Sequence, residues 1–153
     1  MAHNTFYNEI LTEHNIHPTH KVKMIEPQRS LRGVNPSCGD DITLQLNVSD
    51  DGIITDGAFF GDGCAISQAS ADMMLDLVIG RTAEEALKLK DTFLKMIKDK
   101  VTDEELETLE EAGALQDISH MPSRVKCAVL GWRTLEELMK DGEASESVST
   151  EDQ

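Results

Sequence analysis

Hydrophobic positions along this chain change period three times, and each change marks an element. Residues Phe6, Ile10 and Leu11 fall on one side of a short first helix, with Asn4 or Thr5 as its cap and an end near Glu13. The stretch from His14 to Ser37 holds Pro18, Pro27 and Pro36 and has no period; it reads as a mobile surface segment, with an edge strand possible around Gln28 to Arg32. From Asp41 to Val48 the alternation is strict: Ile42, Leu44, Leu46 and Val48 on one face, Thr43, Gln45 and Asn47 on the other. That is a half-buried strand. Asp50-Asp51-Gly52 supplies a hairpin turn, and a second strand returns from Ile53 to Phe60.

After Gly61-Asp62-Gly63-Cys64 the period becomes helical, with Ile66, Ala69, Ser70, Met73 and Leu77 on one side and Gly80 as the stop. Thr82 to Glu85 is a capping box that opens a helix to about Lys98, burying Ala86, Leu89, Phe93 and Ile97. Thr102 to Glu105 is a second capping box; it opens a short acidic helix, read as a solvated face and ending at Gly113. Pro122 suits a first helical turn, and the last helix runs to about Lys140 with Val129, Trp132, Leu135 and Leu138 or Met139 inward. The order predicts an α+β fold: a small antiparallel three-stranded sheet with helices packed on one face. Residues 1–140 form a single domain, and the polar, acidic residues 141–153 are expected to be a disordered tail.

Composition narrows the partners. The formal charge of −15 disfavours nucleic acid and anionic membrane surfaces, and points to a basic docking surface on any partner. No apolar stretch is long enough to span a membrane, and the first residues lack the pattern of a secretory signal. Three cysteines are too few and too scattered for a disulfide framework, so a cytoplasmic setting is expected.

Those cysteines carry the candidate chemistry. Cys38, Cys64 and Cys127 sit beside Gly, Pro or a helix end, where a thiol stays presentable. An antiparallel hairpin makes the start of one strand neighbour the end of the next, so Cys38 and Cys64 converge at one end of the sheet. Cys64 opens a helix whose dipole favours a thiolate. Cys127 shares a helical face with Arg124, three residues earlier, but spacing alone does not bring it to the other two. Asp40 is the best carboxylate candidate beside Cys38, with Asp41 and Asp62 as competitors. On residue pattern alone, ordinary free thiols and a solvated turn acid remain open. His3, His14, His17, His20 and His120 lack zinc-motif spacing and read as solvated loop residues.

Three segments match a known pattern in the right order: Asn35-Pro36-Ser37-Cys38-Gly39-Asp40, Phe60 to Ser67, and Arg124-Val125-Lys126-Cys127. The chain resembles the U-type iron–sulfur cluster assembly proteins (IscU, SufU and the N-terminal domain of NifU) from about Phe6 to Met139. It looks closest to SufU. Lys126 stands where IscU-type proteins have a histidine, Met121 to Lys126 replaces their chaperone-recognition segment, and Asp103 to His120 is similar to the SufU insertion. The resemblance implies a zinc site of Cys38, Asp40, Cys64 and Cys127. It further implies that Cys38 accepts persulfide sulfur from a SufS-like cysteine desulfurase, exchanging its place on zinc with a histidine of that enzyme. Arg124 would assist the site or the docking. In this reading the protein is a zinc-dependent sulfurtransferase. The alternative is a non-enzymatic scaffold that binds iron, assembles a [2Fe–2S] or [4Fe–4S] cluster on the same three cysteines, and passes it to carrier or apo-protein targets. A small zinc-stabilised interaction protein is a third possibility.

Overall fold

The computed structural model describes residues 2–140 and 147–149, with side chains from residue 9 to residue 140. In chain order it has α1 (Ala2–Ile16), β1 (Arg29–Asn35), β2 (Asp40–Val48), β3 (Ile54–Asp62), α2 (Ala65–Val78), α3 (Ala83–Ile97) and α4 (Asp103–Thr108). A 3₁₀ helix (Glu110–His120), α5 (Pro122–Lys140) and β4 (Ser147–Ser149) complete it. This is the expected α+β arrangement. Strands β1, β2 and β3 form an antiparallel sheet in the spatial order β3-β2-β1, and β4 adds in parallel along β1. Thus part of the expected tail pairs through its backbone, which needs no apolar side chain. The rest of that tail lies outside the described residues.

Alternation in β2 works as its pattern demands. Ile42, Leu44 and Leu46 are completely buried beneath α2 and α5, and Leu31 of β1 joins them. Removing such side chains from water is worth about 1.5–3 kcal/mol each. Phe93 of α3 stacks on Trp132 of α5 with ring centroids 5.1 Å apart, which ties the helical layer together. Both capping boxes form, with Thr82 and Thr102 each accepting from the backbone N–H of the glutamate three residues on.

Three expectations need correction. Helix α1 begins at Ala2, so Asn4 and Thr5 lie inside it rather than capping it; it also runs on to Ile16. The segment before β1 is tethered rather than mobile. The His20 carbonyl accepts from Phe59 N–H at 3.0 Å, and the Gln45 and Asn47 side chains accept from Met24 and Gln28 N–H at 2.7 and 2.9 Å. Polar positions on the outer face of β2 thus satisfy the passing loop. The weak edge-strand signal there is a full strand, β1, beside β2.

The third correction concerns the acidic helix. Helix α4 stops at Thr108, and the chain continues as a 3₁₀ helix of 11 residues. Leu109, Ala112, Leu115 and Ile118 are all buried. Their spacing of three is the 3₁₀ period, which aligns every third side chain on one face. A run this long is uncommon, and the apolar stripe packed onto α2, α3 and α5 supplies what the poorer hydrogen bonding lacks.

Candidate metal centre

The two motifs on the sheet meet as the hairpin geometry requires. Asn35 and Asp40 are the last register partners of β1 and β2, and Pro36 to Gly39 form the turn between them, presenting Cys38 to solvent. Gly39 has φ of +74°, a value that glycine takes without steric cost. One strand over, Asp41 pairs with Asp62, which brings the end of β3 and the following Cys64 to the same edge. At Gly61 (φ +123°) a Cβ would lie 2.2 Å from the Asp41 carbonyl, so only glycine lets β3 pass there. Cys64 is the N-cap of α2; its Sγ accepts from Ser67 N–H at 3.4 Å.

Cys127 arrives through helix packing. At Gly33 of β1 a Cβ would stand 2.2 Å from Thr134 Oγ1, and at Gly131 of α5 it would stand 3.4 Å from Ala71 of α2. These glycines let α5 lie close against both the sheet and α2. Buried Ser70 of α2 donates to the Ala128 carbonyl at 2.6 Å and fixes the register one residue from Cys127. The spacing of the cysteines held no trace of this meeting.

The donor atoms of Cys38, Asp40 and Cys127 lie within 4.8 Å of one another, with Cys38 exposed and the other two buried. Cys64 falls outside that tight group but sits beside it: its backbone N–H donates to Asp40 Oδ1 at 2.8 Å, and its thiol is close enough to raise the Cys127 pKa. Asp41, a competitor of Asp40, is turned away into a bidentate pair with Arg32 at 2.6 and 2.8 Å. The competitor Asp62 is the exposed last residue of β3. Two residues of the motifs acquire roles that no pattern assigned. Asn35 is completely buried, and its amide donates to Asp40 Oδ2 at 3.0 Å and to Cys127 Sγ at 3.5 Å. Ser67 Oγ and Cys64 N–H donate to Asp40 Oδ1 at 3.1 and 2.8 Å. The Asp40 carboxylate is thereby aimed from three directions while Oδ2 keeps a free lone pair.

Burial pushes the Cys127 thiol up, and hydrogen bonds to Cys38 and Cys64 and the charges of Cys64 and Asp40 push it further. A divalent ion held by these residues would offset the anionic charge, and three sulfurs with one carboxylate would be a suitable four-coordinate set for zinc. Arg124 lies beside the centre: the charge of Cys64, a hydrogen bond to Cys127 and the charges of Cys127 and Cys38 raise its guanidinium pKa.

The histidines did not behave as one class. His14 is buried between two carboxylates, Asp72 and Glu111, at 2.6 Å each, and His20 bonds Asp76 at 2.7 Å. The loop assignment of His14 is overturned because α1 extends past it and packs it against α2, whereas His20 does lie on the loop and is held there by Asp76.

Similarity to known proteins agrees with this geometry. The NifU-like N-terminal domain model matches residues 6–146. The iron–sulfur cluster assembly scaffold protein IscU of Thermotoga maritima is 38% identical over 140 residues, covering 92% of this chain and 96% of that protein. The zinc-dependent sulfurtransferase SufU of Bacillus subtilis is 36% identical over 132 residues, covering 86% and 88%. The solved structure of an iron–sulfur cluster assembly scaffold protein for the SUF system, from Fervidobacterium islandicum AW-1, superposes with a TM-score of 0.80 at 36% identity; the match covers 86% of this chain and 95% of that one. With the three thiols and Asp40 gathered at one end of the sheet, the chain belongs to the NifU-like N-terminal domain family.

Proposed function

We propose that this protein serves iron–sulfur cluster assembly in the manner of SufU, accepting persulfide sulfur from a cysteine desulfurase at a zinc-bound cysteine centre. Cys38, Asp40, Cys64 and Cys127 would hold the ion, which keeps bound thiols deprotonated at neutral pH. The observation that carries the assignment is the difference in exposure. Cys127 is buried and Cys64 caps α2, whereas Cys38 stands exposed on a turn. Cys38 is the sulfur that an incoming protein can reach.

In the transfer, the Cys38 thiolate attacks the outer sulfur of the desulfurase persulfide. One S–S bond forms as the other breaks; the desulfurase leaves as a thiolate, and no net oxidation is needed. Arg124, three residues before Cys127, offers a cation at the mouth of the centre and steadies the anions gathered there. The acidic surface, with a net charge of −15, suits a basic docking face on the desulfurase. The proposed setting is the cytoplasm; no helix among the described residues is long and apolar enough to cross a membrane.

The test is zinc content together with desulfurase turnover. The reading expects one zinc per chain and a turnover stimulation that Cys38→Ala abolishes. Undiminished stimulation by the variant would contradict it. A second reading, the cluster scaffold, draws on the naming of the Thermotoga maritima relative as a scaffold protein. Iron and sulfide bound to protein purified without air, with a visible absorption band, would favour that one.

A further inference from the structure

Zinc favours thiolate over oxygen donors, so on donor chemistry alone the Asp40 carboxylate should be the first ligand to leave a centre of three thiols and one aspartate. The hydrogen bonds around it point the other way. Asp40 is 2% exposed and accepts from Asn35 Nδ2, Cys64 N–H and Ser67 Oγ. We propose that Asn35 is a positioning residue that reverses the order of ligand exchange: its side-chain amide pins Asp40 and Cys127 as a retained pair, and exchange falls to Cys38. This order presupposes the zinc-bound centre proposed above.

Asn35 reaches three of the four ligand residues. It is completely buried at the end of β1 and is the register partner of Asp40 in β2. Its amide donates to Asp40 Oδ2 at 3.0 Å and to Cys127 Sγ at 3.5 Å, which employs both amide hydrogens. Reversing the amide would set its oxygen against a carboxylate and a metal-binding sulfur, two acceptors, so the nitrogen faces them. The Asn35 backbone carbonyl accepts from Cys38 N–H at 3.2 Å and starts the turn that presents that thiol. That bond belongs to the backbone and survives a change of side chain.

The other side of Asp40 is closed as well. At Gly63 a Cβ would stand 2.4 Å from Ser67 Oγ and 3.1 Å from Asp40 Oδ1, so the backbone lies close over that oxygen. Cys64 Sγ accepts from Ser67 N–H at 3.4 Å. Asp40, Cys64 and Cys127 thus each hold a hydrogen bond from a donor fixed in the fold. Cys38 is exposed on its turn, and its Sγ faces the Ser123 carbonyl at 3.9 Å, an acceptor that gives a thiolate no support. Removing an outer donor to a metal ligand typically weakens binding about 10–100-fold.

The test uses the full chain loaded with zinc, free imidazole as the competing ligand and iodoacetamide to trap any released thiolate, with alkylated peptides mapped by mass spectrometry. We expect imidazole to speed alkylation of Cys38 in the wild-type chain while Cys64 and Cys127 stay protected. Asn35→Leu keeps the size of the side chain but has no donor, and its zinc affinity by chelator competition should fall about tenfold or more. Imidazole should then displace Asp40 and no longer speed alkylation of Cys38. Asn35→Ser, too short to span both ligands, should lose the same selectivity and guards against misfolding of the leucine variant; melting of the zinc-free chains checks both. A merely structural Asn35 would weaken zinc but leave the imidazole effect on Cys38 in place. That result overturns the proposal, as does a wild-type chain in which imidazole frees Cys64, Cys127 or no thiol. No desulfurase or persulfide enters the experiment, so its failure leaves sulfur acceptance at Cys38 untouched.

Discussion

The two ends of helix α2 hold polar clusters of opposite character. At its N-terminus, Cys64 caps the helix and Ser67 steadies Asp40 beside two further thiols. Two to three turns later, Asp72 and Asp76 face His14, His20 and Glu111. The first set depends on strand register and two tight turns, with only Cys127 brought by a helix. The second depends entirely on side-by-side packing of α1, α2 and the 3₁₀ helix. Local geometry therefore fixes the sulfur site, while tertiary packing fixes the nitrogen–oxygen cluster. Perturbations that loosen packing should separate them.

The largest expected effect belongs to Cys38→Ala. It removes sulfur acceptance completely, leaves melting of the zinc-free protein within about 0.5 kcal/mol because the side chain is exposed, and leaves the histidine cluster intact. Desulfurase turnover and a thermal melt check both halves.

Leu115→Ala comes next. Leu115 is completely buried in the middle of the 3₁₀ stripe, and its truncation should cost about 2–5 kcal/mol by chemical denaturation. Hydrogen exchange should then rise first around Glu111 and His14, with the turn at Cys38 protected as before. Equal loosening of both regions would contradict the separation.

Gly33→Ala acts the other way. Its Cβ would press on Thr134 Oγ1 and on Leu130, pushing α5 from the sheet at a cost of about 1–3 kcal/mol. Zinc affinity should fall because Cys127 rides on α5, while His14 keeps its partners. Adding Thr134→Ala should recover part of the loss by removing the nearest atom.

The smallest effect concerns Glu136, which lies at neither centre. Its carboxylate accepts from the Lys90 ammonium at 2.9 Å. Burial pushes the carboxyl up, but Lys90, by hydrogen bond and by charge, then Arg133 and Lys140 more than reverse this and leave it below its usual 4.5. A depressed folded pKa means the contribution is present above pH 4.5 and disappears as pH falls through the folded value. Glu136→Gln should thus cost about 1–2 kcal/mol at neutral pH and almost nothing in strong acid, as read from denaturation at both pH values. A cost independent of pH would contradict the ion pair.

How legible these features were depends on the range of the interaction. Alternation from Ile42 to Val48 and the two capping boxes are local signals, and they produced β2, α3 and the start of α4 where expected. The convergence of Cys38 and Cys64 needed only hairpin geometry. The meeting with Cys127 was not legible, since it rests on glycines at 33 and 131 whose lack of a Cβ matters only once two elements touch. His14 was misread for a related reason: its partners lie 58 and 97 residues away. The spacing of three from Leu109 to Ile118 is present in the sequence and fits a 3₁₀ helix, but the acidic residues between these positions mask it. Asn35 and Ser67 sat inside the quoted motifs, yet polar residues near a cysteine give no signal of what they will orient.

The central claim is that Cys38 is the sulfur acceptor of a zinc-holding cysteine centre. The most direct measurement is mass spectrometry of the zinc-loaded protein after incubation with a cysteine desulfurase and cysteine, with peptides mapped for added sulfur. The account predicts one extra sulfur atom, on the peptide containing Cys38. Sulfur found on Cys64 or Cys127, with Cys38 unmodified, would contradict it.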